Sequence, residues 1–438
     1  MLHCESHPLK RRNLMLLVTS HCTKYLAVVA LLAFVAQSSF AEPKEGLADS
    51  AVVIQAKDFD SIQAAVDAIP EQGGMVVLPA GTFELQEPLV IRTERTRITG
   101  AGPATHLVNK NEEGQPAIQI RPDGYAENKK LRLWQVQLDH FQISGNPKSG
   151  DGIHAAGIEE IFIQGVSIHH HGRHGIFLDF CYEDPRISDC LITYNKEAGI
   201  KLLGCHDIVV NANHFEENLD GVRCLDGFNL TMNGNNLDDH LGNGVIIENT
   251  YGSVVSGNMI EECEGWGIIL DRDCYGITLS SNVIAHELKG GIDLRDAWGC
   301  AISANTFTIV HQAAVHVGEN SGRLNISANT FSNSDMGGEI RRKLEHKVPM
   351  QRDAGAGIVL EKTEDILITG NLFSGMDGAA VKCKSEDCER IHIVGNLVTD
   401  YGRKTEQPVA FEVPEKESIQ LQNNMIGPAK MPRQEAGR

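Results

Sequence analysis

The sequence repeats itself with a period of about 23 residues. Each repeat contains a small residue followed by an apolar β-branched one. The pairs are Gly152-Ile153, Gly175-Ile176, Gly199-Ile200, Gly221-Val222, Gly244-Val245, Gly267-Ile268, Gly291-Ile292 and Ala314-Val315, and the series resumes at Gly357-Ile358 and Ala380-Val381. Such a period is typical of solenoids, in which each repeat buries one face against its neighbours. The chain is therefore limited to stacked, short structural units.

Each repeat also contains a short alternating stretch that ends in asparagine. These asparagines are Asn213, Asn235, Asn258, Asn282, Asn305, Asn329, Asn371, Asn396 and Asn424. Alternation favours β-strands, and stacked strands lie about 4.8 Å apart. At that distance the side-chain amide can hydrogen-bond the same residue of the next coil. The sequence therefore predicts an asparagine ladder inside a parallel β-helix.

Two other repeat architectures fit the sequence less well. A leucine-rich repeat requires a Leu-x-x-Leu-x-Leu frame, which this chain lacks, and a propeller blade requires about twice the period. Ahead of the repeats, an apolar helical face lies between Asp60-Ser61 and Pro70. Its members are Ile62, Ala65, Val66 and Ile69. We predict a short helix here that covers the open end of the core.

This helix, the stretch GGMVVLPAGTF at 73–83 and the asparagine-terminated coils together resemble the pectate-lyase-like superfamily. The resemblance covers about residues 58–427. It implies an all-β fold, a right-handed single-stranded parallel β-helix with a short N-terminal capping α-helix. It says little about the substrate, because one fold hosts many functions.

Residues 1–41 have the pattern of a signal peptide. A weakly basic segment precedes an uncharged run from Tyr25 to Ala36, which is too short to span a bilayer comfortably. Ser39 and Ala41 are small residues at the cleavage positions, and Met15 is an alternative start. We expect a secreted or periplasmic protein without membrane attachment after cleavage. An uncleaved membrane anchor is the alternative.

The expected organisation after the signal peptide is simple. A linker covers 42–57, one β-helix domain covers 58–428 with a basic insertion at about 332–355, and a tail covers 429–438. Nine of the eleven cysteines remain, irregularly spaced, so we expect small apolar core residues rather than a disulfide framework. Cys383 and Cys388 are one pair that could form locally.

The formal net charge of −19 argues against two classes of partner. Nucleic acid and anionic lipid would be repelled at long range. We therefore expect neither as a partner. The expected partner is an acidic polysaccharide or oligosaccharide, and the protein is expected to be a monomer.

Alternation along the first strand of each repeat separates inward from outward side chains. Outward and adjacent positions of the early coils hold polar residues that we predict to be catalytic, namely Asp151, His154, Arg173, His174, Asp179 and Lys201. Stacked about 4.8 Å apart, they could contact two or three sugar units. The alternative is that these side chains are merely solvated.

Later coils continue the polar columns. We predict substrate binding by Arg223, Asp220, Glu248, Asp271, Asp293, Arg295 and His316, and by Arg341 and Arg342 of the basic insertion. No cofactor is expected with certainty. Asp220, Glu248, Asp271 and Asp293 could hold a Ca²⁺ ion. No metal site is predicted from the run 169–171, since three adjacent histidines on an extended chain cannot face one point.

The sequence Asp151-Gly152-Ile153-His154, followed one coil later by Gly172-Arg173-His174-Gly175, is similar to the catalytic coils of mannuronan C5-epimerases. That family has an Asp-Pro-His motif, whereas this chain has Gly-Ile between Asp and His. The resemblance implies an acidic, uronate-containing substrate. Arg173 or Lys201 would neutralise the uronate carboxylate, and His174 or His154 would remove the C5 proton.

Screening the carboxylate makes the adjacent proton acidic, and imidazole is a usable base near neutral pH. Reprotonation from the other face gives epimerisation, and expulsion of the 4-linked sugar gives lyase cleavage. Both stay open. Two alternatives are an inverting hydrolase that uses two carboxylates among the acidic columns, and a non-catalytic glycan-binding surface.

A further column holds five aromatic rings and one histidine. Its members are Tyr182, His206, Phe228, Tyr251, Tyr275 and Trp298. We favour an inward structural stack, and the alternative is an exposed platform for sugar rings.

Overall fold

The computed structural model describes residues 52–332, 340–341, 349–350 and 355–430. The predicted signal peptide, most of the predicted linker and residues 431–438 lie outside the described residues. In the described part, each coil contributes strands to three parallel sheets. No helix in that part is long and apolar enough to cross a membrane.

The first sheet contains the strands that follow the repeat glycines, and its outer face contains most of the predicted site. Its 13 strands are Leu89–Ile91, Ile118–Ile120, Ile153–Ala156, Ile176–Asp179, Ile200–Leu203, Val222–Leu225, Val245–Glu248, Trp266–Asp271, Gly290–Leu294, Ala313–Val317, Ala356–Leu360, Val381–Cys383 and Phe411–Glu412. The register pairs Ile153 with Ile176, and Ile176 with Ile200. The predicted stacking of the repeats is therefore confirmed.

The second sheet follows the first along each coil. Its 17 strands are Val53–Gln55, Gly74–Val77, Thr96–Thr99, Leu133–Asp139, Ile158–Gln164, Arg186–Ser188, Val209–Asn211, Thr231–Asn233, Val254–Ser256, Cys274–Tyr275, Thr278–Ser280, Ala297–Trp298, Ala301–Ser303, Gly322–Ser327, Glu364–Thr369, Glu389–Val394 and Ile419–Gln422. Val53–Gln55 pairs with Gly74–Val77. The β-structure therefore begins inside the segment that the sequence assigned to a linker.

The third sheet completes each coil after a sharp turn. Its 14 strands are Gly81–Leu85, Thr105–Asn109, Gln142–Ser144, Ser167–His169, Leu191–Thr193, His214–Glu216, Asn236–Asp238, Met259–Glu261, Val283–Ala285, Thr306–Thr308, Thr330–Ser332, Leu372–Ser374, Leu397–Thr399 and Met425–Ile426. A separate antiparallel pair, Ile340–Arg341 with Pro349–Met350, lies in the insertion.

Helical structure in the described residues is short. It consists of the α-helix Ile62–Asp67 and the 3₁₀ turns Ala56–Asp58 and Gly102–Ala104. Ser61 accepts a hydrogen bond from the Ala64 N–H at 3.0 Å, as an N-cap residue does. Gln63 bonds both backbone groups of Val90, at 2.8 and 3.0 Å. The predicted capping role of this helix stays a prediction.

The predicted asparagine ladder is present in full. All nine asparagines lie between a strand of the second sheet and one of the third. Eight successive Nδ2-to-Oδ1 hydrogen bonds of 2.9–3.1 Å link them. The bond from Asn329 to Asn371 passes over the insertion. Each of the nine also donates its other Nδ2 hydrogen to a backbone carbonyl of the preceding coil.

The repeat glycines are required by close contact between coils. A Cβ atom on Gly152 would lie 2.6 Å from the Gly175 carbonyl oxygen, and one on Gly175 would lie 2.6 Å from that of Gly199. Real Cβ atoms do not approach backbone this closely. The glycine column therefore lets successive coils stack at the point where each first-sheet strand begins.

The core between the sheets is built from isoleucine, leucine and valine, with one phenylalanine stack. Phe307, Phe331 and Phe373 lie 4.9 and 4.5 Å apart with nearly parallel rings. All nine cysteines of the described residues are free thiols, and eight are buried. Most therefore serve as core residues, as predicted. Cys383 and Cys388 do not form a disulfide with each other.

A second inner column follows the third sheet, where the buried His171 precedes Asn195 and Asn218. The His171 N–H donates to Asn195 Oδ1 at 3.1 Å, and Asn195 Nδ2 donates to Asn218 Oδ1 at 2.8 Å. Burial, followed by the neighbouring His169 and His170, lowers the pKa of His171 to about 3. His171 is therefore neutral in the fold at every pH near its ordinary pKa of 6.5.

Asn282→Ala should destabilise the fold, because Asn258 would lose its acceptor and Asn305 its donor. Several buried hydrogen bonds are lost at once, so we expect a loss of about 2–4 kcal/mol in the free energy of unfolding, measured in urea. Asn325→Ala, at an exposed position of the same fold, is the control. Equal losses in the two variants would contradict the role of the ladder.

His171→Asn should make stability less dependent on pH. The folded pKa lies below the unfolded one, so the unfolded chain takes up a proton that the fold excludes, and stability falls as the pH drops below 6.5. This contribution amounts to roughly 1 kcal/mol per pH unit. Urea unfolding between pH 7 and 4 should show a shallower loss for His171→Asn than for the wild type. Parallel curves would contradict the assignment, and His206→Asn on the surface is the control.

Candidate functional site

The register of the first sheet places the predicted residues in one outward column. His154 pairs with Phe177, Phe177 with Lys201, and Lys201 with Arg223. Residues about 23 positions apart in sequence are thus direct neighbours on the outer face of this sheet. The predicted register is confirmed, and the chemistry depends on what each side chain contacts.

His154 and Asp151 lie together at the N-terminal end of the column. His154 Nδ1 is 3.8 Å from Asp151 Oδ2, and its buried Nε2 has no hydrogen-bond partner. Burial, followed by the charge of Arg173, lowers the pKa of His154 to about 4. Burial raises the pKa of Asp151 to about 6 against the attraction of Arg173. His154 is therefore a neutral imidazole with an available lone pair at neutral pH.

Arg173 and His174 approach the same carboxylate from the next coil. Asp151 Oδ1 accepts a hydrogen bond from the His174 backbone N–H at 3.1 Å, and Arg173 Nη1 lies 3.7 Å from Oδ2. His174 Nδ1 accepts from the Ala198 N–H at 3.1 Å. The neutral ring therefore carries its proton on Nε2, which lies 2.8 Å from Glu197 Oε2.

This arrangement bears on the prediction that His174 or His154 is the base. Burial, followed by the charge of Lys201, lowers the pKa of His174 to about 3. Because Nδ1 already accepts a hydrogen bond and Nε2 carries the proton, the side chain can only donate.

Phe177 connects the predicted residues and was missed as a site residue. Its ring stacks on His154 with the centroids 4.7 Å apart, and it lies 5.7 Å from the His174 ring. Lys201 Nζ lies 5.1 Å from the same ring. Only 9% of Phe177 is exposed. Its position in the outward column was visible in the sequence, but nothing there showed that it contacts three polar residues.

Asp179 lies at the end of its strand and is partly buried. Burial raises its pKa, against the charges of Lys129 and Lys201. Burial, followed by the charge of Asp179, also raises the pKa of Tyr125 to about 12, and Lys129 Nζ lies 4.2 Å from the Tyr125 ring. The loop that contains Tyr125 and Lys129 therefore contributes to the site.

Several cations near the site have no anionic partner. Among the described residues, no carboxylate oxygen lies within 4.0 Å of Lys201, Lys129 or Arg121. Arg121 and Lys129 are close enough to His154 to lower its pKa further. Unpaired cations beside a neutral imidazole form a local positive field that attracts an anion.

The centre of the column is different, because its charges neutralise one another. Glu248, 5% exposed, lies 2.9 Å from Arg223 and 3.1 Å from Arg272. Arg295 contacts Asp293 at 2.7 Å and Asp271 at 3.5 Å. The acidic groups predicted to bind substrate here therefore already form ion pairs with arginines.

The series of ion pairs on this face continues toward the C-terminus. His316 Nδ1 lies 2.7 Å from Asp293, and its Nε2 lies 3.3 Å from Glu361, which also contacts Lys384 at 2.6 Å. The hydrogen bond that His316 donates to Asp293 raises the pKa of His316. Burial opposes ionisation of Asp293, but the bonds from His316 and Arg295 keep its pKa below the ordinary value.

The suggested Ca²⁺ site is not supported by the geometry. Glu248, Asp271 and Asp293 contact arginines, and Asp220 Oδ1 accepts hydrogen bonds from Asn243 N and Nδ2 at 2.9 and 3.0 Å. These four carboxylates therefore do not converge on one cation. Arg342 lies outside the described residues, and Arg341 is described only as backbone in the antiparallel pair of the insertion.

Two groups of potential metal ligands lie elsewhere, at the end of the third-sheet strands. Glu261 and Glu262 lie with His286, and Asp238 and Asp239 lie with Glu262, with the ligand atoms of each group within 4.8 Å of one another. His286 Nδ1 contacts Glu261 at 3.4 Å and Glu262 at 3.2 Å. These groups were not predicted, because their members occupy strand ends and the turn positions next to them, where polar side chains are usually only solvated.

The aromatic column faces outward, so the inward stack favoured from the sequence is wrong. Phe228 and Tyr275 are 41% and 50% exposed. The rings nevertheless contact one another, with His206 4.7 Å from Phe228 and Phe228 5.3 Å from Tyr251. The column is therefore a surface stack.

Comparison with known proteins defines the class. The family described as "Right handed beta helix region" matches residues 134–284, 187–331 and 243–426. The chain belongs to this family, and its fold is that of the pectate-lyase-like β-helix superfamily. A search of curated proteins finds no match.

Among solved structures, the A-module of mannuronan C-5 epimerase AlgE6 from Azotobacter vinelandii matches with 15% identity and a TM-score of 0.52, covering 87% of this chain and 100% of that one. The catalytic unit of a GH87 α-1,3-glucanase from Streptomyces thermodiastaticus has 14% identity and a TM-score of 0.57, covering 82% and 69%. Tailspike protein 3 of bacteriophage CBA120 has 12% identity and a TM-score of 0.52, covering 84% and 68%. At these identities the likeness shows the fold alone.

Phe177→Leu should raise the pKa of His154 from about 4 toward its ordinary 6.5. Loss of the stacked ring admits water, which stabilises the charged imidazole. The pKa of His154 should therefore rise by about one unit. The histidine resonances, assigned with a His154→Gln variant, can be titrated by NMR. Phe228→Leu, at the exposed surface stack, should leave the His154 pKa unchanged. An unchanged pKa in Phe177→Leu would show that the ring does not set the environment of His154.

Proposed function

We propose that this protein acts on an acidic, uronate-containing polysaccharide by neutralising the uronate carboxylate and removing the C5 proton. The observation that carries the proposal is a neutral His154, with Nε2 unpartnered, beside cations that have no carboxylate partner. A similar fold in an epimerase and a glucanase supports a carbohydrate substrate in general.

Lys201 and Arg173 would contact the uronate carboxylate. Their charge would lower the energy of the enolate-like state formed when the C5 proton leaves. His154 would accept that proton, and the electron pair of the C–H bond would delocalise into the carboxylate. The bound anion would also offset the cations around His154 and so make it a stronger base.

Two outcomes follow from the same intermediate. Return of a proton to the opposite face of C5 gives the epimer. Departure of the 4-linked oxygen, with a proton delivered to it, gives an unsaturated sugar and a shorter chain. His174 Nε2–H faces Glu197 Oε2 at 2.8 Å, so His174 would hold this carboxylate beside the site. Both outcomes remain within the proposal.

The setting of this chemistry is part of the proposal. The N-terminal segment would direct the protein out of the cytoplasm as a signal peptide. The protein would act as a monomer on a soluble glycan, and the arginines of the insertion would bind acidic sugars at its edge. The helix Ile62–Asp67 would close the N-terminal end of the core, since Gln63 bonds the edge strand at Val90.

A hydrolase is the second candidate, for one specific reason. Burial raises the pKa of both Asp151 and Asp179, and a general acid needs a carboxyl group that stays protonated. The other acidic residues suggested for this role are less suited. Glu248, Asp271 and Asp293 contact arginines, and Asp220 accepts hydrogen bonds from Asn243.

His154→Gln and Lys201→Gln should each reduce turnover of uronate polymers by at least about 100-fold, since each removes a group that acts in the transition state. Lys382→Gln is a matched control, because Lys382 lies in the same outward column but contacts Glu412 at 2.8 Å. Its activity should be unchanged.

Product analysis distinguishes the candidates. Unsaturated-uronate absorbance identifies a lyase, solvent deuterium at C5 without cleavage identifies an epimerase, and new reducing ends without absorbance identify a hydrolase. Wild-type turnover in both His154→Gln and Lys201→Gln would remove this site from the reaction. Binding without any product would favour a non-catalytic glycan-binding protein.

A further inference from the structure

The outer face of the second sheet contains a cavity of about 470 Å³ that lies outside the candidate site. Its lining spans four successive coils and includes Gln137, Phe162, Gln164, Arg186, Ser188 and Asn211. None of these residues takes part in the proposed reaction. The cavity is lined by one aromatic ring, one guanidinium group, one carboxylate, three amide groups and one hydroxyl group.

The local backbone explains why a depression forms here. The strands Leu133–Asp139 and Ile158–Gln164 are seven residues long, whereas the next two strands of the sheet have three residues each. Both long strands contain a residue with left-handed backbone, Gln135 with φ 56° and Glu160 with φ 58°. Such residues interrupt regular extension, and they stand two positions before Gln137 and Phe162 of the cavity lining.

The register places the polar groups side by side. Gln137 pairs with Phe162, Phe162 with Arg186, and Arg186 with Val209, so this row crosses the cavity. A parallel row contains Gln164, Ser188 and Asn211. Gln164 Nε2 is fixed by Asp189 at 3.3 Å. The rows present hydrogen-bonding groups about 4.8 Å apart, which is close to the length of one sugar unit.

Arg186 is the cationic group of the cavity, and Asp189, which accepts a hydrogen bond from Gln164, is its anionic group. Its guanidinium lies 5.6 Å from the centre of the Phe162 ring. The side chain is exposed, and no carboxylate oxygen of the described residues lies within 4.0 Å of it. An arginine positioned on an aromatic ring and without an acidic partner is suited to pair with a carboxylate ligand.

We propose that this cavity is a second binding site for an acidic sugar, separate from the site around His154. The apolar face of the sugar would pack on Phe162, its carboxylate would pair with Arg186, and its hydroxyl groups would bond Gln137, Gln164 and Asn211. The choice of an acidic glycan rests on the proposed function. The site would hold the polymer without reacting with it.

The test uses trimers of mannuronate, guluronate and galacturonate as probes, with their methyl esters as uncharged counterparts. Binding is measured by calorimetry on the full chain carrying Lys201→Gln, so that the site around His154 is weakened. Arg186→Gln and Phe162→Ala are each added to this background. Arg323→Gln is the matched control, because the Arg323 guanidinium lies over the Trp298 ring at the same 5.6 Å on the same sheet, outside the lining of this cavity.

We expect at least one trimer to bind the Lys201→Gln protein, and Arg186→Gln and Phe162→Ala each to weaken it by about tenfold or more. Arg323→Gln should leave the affinity unchanged, and the methyl ester should bind as weakly as the acid binds Arg186→Gln. Equal affinity of the Arg186→Gln and Arg323→Gln variants, or no binding of any trimer, would overturn the proposal.

The binding measurement does not depend on whether the protein turns over a uronate polymer. If the protein lacks activity on every uronate polymer but the Arg186-dependent binding persists, the proposed reaction fails and the second site stands. If activity depends on His154 but no trimer shows Arg186-dependent binding, the second site fails and the reaction stands.

Discussion

The buried amide ladder is the interaction on which this structure depends. Each ladder asparagine from Asn213 to Asn396 donates to the next asparagine and to a carbonyl of the preceding coil, so both Nδ2 hydrogens are used. A buried polar group is favourable only when it is fully hydrogen-bonded. Any other register would leave these amides unpaired, and the ladder therefore fixes which residues of successive coils become neighbours. It continues across the insertion between Asn329 and Asn371.

The same register decides the charge pattern of the outer face. At its N-terminal end, His154, Phe177 and Lys201 stack in one column, and Lys201, Lys129 and Arg121 have no carboxylate oxygen of the described residues within 4.0 Å. From Arg223 onward, most acidic groups of the column contact an arginine or a histidine. A charged ligand gains most where it supplies the missing counter-charge, so the sheet has one end suited to an anion and a longer part that is internally neutral.

The repeats, the ladder and the outward column could be predicted from the sequence, because their periods reflect backbone geometry alone. The pairing of side chains with one another could not be predicted in this way. Nothing in the sequence shows that His174 Nδ1 accepts the Ala198 N–H, which makes His174 a donor rather than a base. The sequence favoured an inward aromatic column. The inner turn positions, such as Cys181 and Thr250, are filled by smaller residues, so the rings lie outside. The role of Phe177 depends on contacts from three coils that no single segment contains.

Hydrogen–deuterium exchange of the nine ladder asparagines tests the central claim most directly. The backbone N–H groups and side-chain amides of the eight asparagines from Asn213 to Asn396 are buried and bonded from coil to coil, so they should exchange only through global unfolding, with a free energy that follows the denaturant midpoint. Exchange of the central ladder amides by local opening, at free energies far below that of unfolding, would show that the ladder does not hold the coils in register.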